Sequence, residues 1–157
     1  MRLAPLGFDN PFERKHCVVL AFTCVGPKPS AKNAVGLADC AYRRIHPVLD
    51  GITLLNRGGG ARGTFLAINE WARLAGVRVV EEYEPDDSLT IGFSGGREVY
   101  KRVGRPTIRQ FQRGKGRRGR WIVFTDGHAQ AVINGKVRGW YGARSRVHRA
   151  FRVEVLT

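Results

Sequence analysis

The clearest alternation of apolar and polar positions lies in the last third of the chain. Trp121-Ile122-Val123-Phe124, His128-Ala129-Gln130-Ala131-Val132-Ile133 and the stretch from Arg149 to Val155 are short apolar or alternating runs. Asp126-Gly127 separates the first from the second, and Asn134-Gly135 leads into Lys136-Val137-Arg138. Such pairs supply the positive φ that two-residue hairpins need, so the pattern predicts an antiparallel sheet. The earlier part is more helical. Phe65, Leu66, Ile68, Trp71, Ala72 and Leu74 recur at helical spacing, with Thr64 as cap and Gly76 as stop. A partly amphipathic helix is expected within residues 30–55, through Asp39 to Ile45 and broken near Pro47. Val77 to Val80 and Thr90 to Phe93 predict short strands, and Thr107 to Gln112 a short helix behind Pro106. The apolar run from Cys17 to Cys24 fits a buried strand or a buried helix, because so short a run carries no decisive period.

Helices followed by an antiparallel sheet predict an α+β fold. The chain has 157 residues, enough for one domain and too few for two robust ones. Residues 1–16, punctuated by Pro5, Gly7, Asn10 and Pro11, are expected to form an extended arm, and residues 17–157 the single domain.

Charge adds a class of partner. The net charge is +14, from 27 Lys and Arg against 13 Asp and Glu. That balance favours a nucleic-acid backbone or an acidic peptide or protein, including a neighbour in a larger assembly. The densest cations lie in two Gly-rich loops. One carries Arg57 and Arg62; the other carries Arg113, Lys115, Arg117, Arg118 and Arg120. Closely spaced cations beside glycines suit a phosphate-backbone clamp. The acidic residues gather at Glu81, Glu82, Glu84, Asp86 and Asp87, a patch that would aid solubility or pair with basic loops.

Three cysteines, Cys17, Cys24 and Cys40, cannot all pair within one chain, and no CxxC occurs. A disulfide framework and a four-cysteine zinc site are therefore not expected, and a reducing cytoplasm is the simplest compartment. Four His with few carboxylates nearby predict no metal cluster. Walker, dinucleotide, HExxH and GxSxG motifs are missing, so no cofactor is expected. No secretory leader is recognisable, and the run from Val18 to Val25 is too short to span a bilayer.

Candidate chemistry centres on Cys17 and His128. A nucleophilic thiol needs an imidazole that holds it as thiolate or takes its proton. If the run from Cys17 is a helix, the thiol sits at its N-terminus, where free N–H groups and the dipole lower a thiol pKa. His128 opens a strand, a rigid mount for a base. His16 adjoins Cys17 but would diverge from it on a helix, Cys24 fits the core, and His46 and His148 fit surface or structural roles.

The ordered pieces resemble compact papain-like cysteine peptidase domains, of the kind seen in bacteriocin-leader peptidases and small phage proteins. Cys17-Val18-Val19-Leu20-Ala21 is similar to the family's nucleophile helix, with Leu20 where Arg is usual. Residues 42–63 are similar to the next helix and Gly-rich loop, and Arg105-Pro106-Thr107 to Phe111 to the short helix before the sheet. The stretch from Gly127 to Val137 is similar to the catalytic histidine hairpin.

The resemblance implies N-terminal helices packed on a C-terminal antiparallel sheet, and thiol-dependent hydrolysis of a peptide or isopeptide bond. It assigns Cys17 as nucleophile and His128 as base, with Asn10 as the nearest match to the oxyanion side chain. It also implies a virion location if the chain is phage-encoded. Cys40 is the competing nucleophile, since Asp39-Cys40-Ala41-Tyr42-Arg43 imitates a similar helix start. Gly139 occupies the place where the family carries the Asp or Asn that orients the imidazole. The alternative is therefore a weak or inactive domain on the same scaffold, acting as a basic structural or partner-binding protein.

Overall fold

The first described element is a strand, Arg2–Ala4 (β1), which is followed by helices Cys17–Val25 (α1), Ala31–Arg44 (α2) and Ile68–Leu74 (α3). Strands Val77–Tyr83 (β2), Leu89–Ser94 (β3) and Arg97–Arg102 (β4) come next. Helix Ile108–Arg113 (α4) and a 3-10 turn, Lys115–Arg117, lead into Arg120–Thr125 (β5), His128–Ile133 (β6), Lys136–Tyr141 (β7) and Arg149–Val155 (β8). This computed structural model describes residues 2–12, 16–45, 67–85, 89–102, 104–125, 128–142 and 144–156.

Six strands make one antiparallel sheet in the order β1-β7-β6-β5-β8-β2, and β3 and β4 pair as a separate ribbon. Both faces of the large sheet are covered. On one face Ile122, Phe124, Ala129, Ala131, Phe151 and Val153 meet the three N-terminal helices. On the other, Trp121, Val123, Val132, Val137 and Ala150 meet Ile108 and Phe111 of α4. This split follows strand alternation, residue by residue, through β5, β6 and β8. The α+β arrangement expected from the sequence, with N-terminal helices packed on a C-terminal antiparallel sheet, is thus present.

All nine residues of α1 are buried. A helix that is apolar all round has no stripe to read, which is why its sequence did not separate helix from strand. Its one hydroxyl is accommodated by Thr23 Oγ1 donating to the Val19 carbonyl at 2.8 Å. Ala129 and Ala131 let the helix approach β6 closely. Trp71 of α3 stacks on Phe22 with centroids 5.5 Å apart, so the third helix closes the layer.

Several expectations are corrected. Residues 2–4 are not part of an extended arm: they form the edge strand β1, with Ala4 opposite Gly139 of β7. Strand β2 continues to Tyr83, so Glu81 and Glu82 sit on a strand. Their partners are within the chain. Glu81 meets Lys115 at 2.6 Å and Arg152 at 3.0 Å, while Glu82 and Glu84 meet Arg149 at 3.3 and 3.0 Å. The expected cap at Thr64, the loop with Arg57 and Arg62, Asp86, Asp87 and the Asp126-Gly127 turn lie outside the described residues.

Candidate active site

Helix α1 starts abruptly. His16 takes a left-handed conformation (φ 63°, ψ 47°), and its carbonyl accepts the first helical bond, from Leu20 N at 3.0 Å. The His16 side chain does not cap the helix; its ring packs edge-on against Phe12 at 4.6 Å. A left-handed non-glycine residue is costly and marks a site where the surroundings hold the chain in place. The next residue, Cys17, is the first of the helix and is 6% exposed.

The direction of α1 over the sheet is fixed at its far end. Arg120 Nη1 donates to the carbonyls of Val25 and Gly26, at 2.9 and 3.0 Å. Arg120 opens β5 and pairs with Ile133, the last residue of β6. The C-terminus of α1 therefore lies over the end of β6. A nine-residue helix spans about 13 Å and a six-residue strand about 17 Å. Cys17 opens the other end of α1, and His128 opens β6 opposite Thr125.

Strand alternation assigns the side chains. Ala129 and Ala131 face α1, so His128, Gln130 and Thr125 belong to the opposite face. His128 and α1 are therefore on opposite faces of the sheet at this strand end. Two residues missed in the sequence join His128 on this face. Gln130 is 2% exposed and Thr125 is 7% exposed, and neither Gln130 Nε2 nor Thr125 Oγ1 has a hydrogen-bond partner. Their only signal in the sequence is that each interrupts an apolar strand with a polar side chain. Buried polar atoms without partners are rare and concentrate where chemistry or binding occurs.

Gly139 pairs with Gln130 across β6 and β7. Its φ is 100°, and a Cβ there would stand 3.8 Å from the Gln130 Cβ. The backbone at this position suits glycine alone, so no side chain projects from it. Beyond the end of β5, His148 N donates to Phe124 O at 2.8 Å, and Arg105 Nη1 is hydrogen-bonded to His148 Nδ1. His148 is half-buried.

The other candidates separate cleanly. Asn10 Oδ1 accepts from Phe12 N at 2.9 Å in a local turn. Cys24 is buried beside the Leu6 carbonyl, and burial pushes its thiol up to about 12, only partly opposed by Arg138. Cys40 does not start a helix: it is exposed well inside α2, and the groove it lines contains no His among the described residues. The helix-start argument for Cys40 fails on that placement. His46 lies outside the described residues. Among the described residues no three His, Cys, Asp or Glu side chains gather around a metal-sized space. No described helix is long and apolar enough to cross a membrane.

The anion-binding set also divides. Arg120 holds the end of α1, and Lys115 meets Glu81 and lies over the Tyr83 ring at 5.6 Å. Arg113, Arg117 and Arg118 remain exposed. No protein-family model matches the chain, and no curated protein or solved structure matches it.

Proposed function

We propose that the chain is a papain-like thiol hydrolase that cleaves a peptide or isopeptide bond with Cys17 and His128. What supports this reading is the Arg120 tie, which puts the C-terminus of α1 over the end of β6, with Cys17 opening that helix and His128 opening that strand. The Cys17 sulfur attacks the carbonyl carbon and forms a thioester. His128 takes the thiol proton and returns it to the departing amine. Water, deprotonated by His128, then attacks the thioester, releasing the acid and restoring the thiol. The Cys17 backbone N–H stabilises the oxyanion, with the Asn10 amide as second donor. Thr125 and Gln130 flank His128 on its face of the sheet and supply polar groups where a carboxylate is missing.

Site-resolved alkylation with iodoacetamide across pH tests the pairing. Cys17 is expected to react faster below pH 8 than a free thiol of ordinary pKa, and to lose that advantage in His128→Ala. An inert Cys17, or one indifferent to His128, sinks the reading. Gly139 favours a second one, a recognition domain on the same scaffold: Cys17 would then alkylate without any accompanying turnover of peptide substrates.

A further inference from the structure

The basic loop predicted at residues 113–120 is a rigid shelf. Gly135 N donates to Gly116 O and Asn134 N to Gly119 O, both at 2.9 Å. Gly119 N donates back to Asn134 Oδ1 at 2.9 Å, and Trp121 Nε1 to Arg118 O at 2.9 Å. Gln112 Nε2 donates to Gly135 O at 3.1 Å, so α4 is tied to the same turn. Thr107 and Gln110 form a capping box that fixes the other end of α4.

Four arginines project from this frame. Arg109 and Arg113 stand four residues apart on one side of α4, and Arg117 and Arg118 follow from the turn. All four are exposed. The ion pairs among the described residues involve Arg73, Arg78, Lys115, Arg149 and Arg152, and none of these four. Arg109, Gln112, Arg113 and Gly135 line a concavity of about 420 Å³.

From this shelf we infer a binding site for the phosphate backbone of nucleic acid, centred on Arg109 and Arg113 and continued by Arg117 and Arg118. Guanidinium forks match phosphate oxygens bidentately, and a frame fixed before binding loses little freedom when it is occupied. A protein partner would need an apolar anchor, and the concavity lining contains none. No aromatic side chain lines it either, so contact is with the backbone and independent of base sequence. The site is separate from Cys17 and His128 and does not rest on their chemistry.

Fluorescence anisotropy of the full chain with labelled 20-base-pair DNA duplexes of two unrelated sequences tests this, between 50 and 200 mM salt. Binding is expected to be equal for both duplexes, with a log–log salt slope of roughly −3 to −4 for four phosphate contacts. Arg109→Ala/Arg113→Ala is expected to weaken it at least about tenfold and to reduce the slope by about 2. Arg117→Ala/Arg118→Ala provides an independent second variant should the first fail to fold. Arg43→Ala/Arg44→Ala, on the exposed end of α2, is the control for general charge. No binding at 50 mM salt, or an equal loss in the α2 control, overturns the inference. Equal affinity for a poly-glutamate peptide, with the same sensitivity to Arg109 and Arg113, overturns the nucleic-acid assignment in favour of an acidic protein.

Discussion

Arg120 and Val25 join the two layers of the protein: the guanidinium at the start of β5 donates to the carbonyl at the end of α1, at 2.9 Å. The same Nη1 reaches Gly26 O at 3.0 Å. The last carbonyls of a helix have no intrahelical donors and carry the negative end of the dipole, so a cation there is doubly favourable. This contact sets the direction of α1, and hence the position of Cys17 at the helix's other end.

Arg120→Ala is therefore expected to cost about 1.5–3 kcal/mol, as for a lost hydrogen bond to a charged group. Urea unfolding followed by fluorescence measures it. On the proposed reading Cys17 alkylation also loses its dependence on His128, although Arg120 is remote from both. A stability loss under about 0.5 kcal/mol would show the contact to be dispensable.

Cys24 gives an alkaline signature. Its thiol titrates at 9.0 when unfolded and at about 12 in the native state, because burial disfavours the thiolate. The unfolded chain therefore releases the proton first. This contribution to stability is intact below pH 9 and is lost as pH rises toward 12, at about 1.4 kcal/mol per pH unit. Cys24→Ala is expected to flatten that part of the stability–pH curve. The native Cys24 thiol is expected to stay unalkylated at pH 8, where Cys40 reacts.

Gly116 is fixed by contact. A Cβ there would stand 2.5 Å from Phe111 Cε1, inside the core under α4. Gly116→Ala is expected to destabilise the fold by about 1–3 kcal/mol, the usual cost of overpacking. It should also lift the arginine shelf and weaken duplex binding. Thermal unfolding and anisotropy on the same sample check both effects.

Gln130 separates stability from function. Its Nε2 is buried without a partner, so Gln130→Met is expected to raise stability by about 1 kcal/mol. The same change removes the polar neighbour of His128, and Cys17 alkylation near pH 7 is expected to slow. A variant that is more stable and equally reactive would deny Gln130 any part in placing the imidazole.

The legible parts of the sequence are those where local pattern and tertiary structure agree. The hairpins around residues 121–138 were readable because period-two alternation coincided with Asp-Gly and Asn-Gly. Strand β1 escaped because three residues carry no period, and β4 because its two apolar residues are adjacent among charges and show no alternation, although Gly95-Gly96 is a two-residue hairpin signal. The anchoring of α1 over the end of β6 could not be read at all, since it depends on Arg120, 95 residues from Val25 in sequence. Arg109 was missed because it lies outside the dense basic run. Its spacing of one helical turn before Arg113 is the signal that could have found it.

The pairing of β1 with β7 has a consequence for how the chain is made. Ala4 is synthesised early and must wait for Gly139, and the buried helix α1 must wait for β6. Until those strands emerge from the ribosome, nine residues of apolar helix have no sheet to lie on. The contacts between these layers can form only once Lys136–Tyr141 has emerged, which favours slow closure and a period of exposure to aggregation or chaperone capture. Truncation within β7, which also removes β8 from between β5 and β2, should thus leave the entire sheet unassembled.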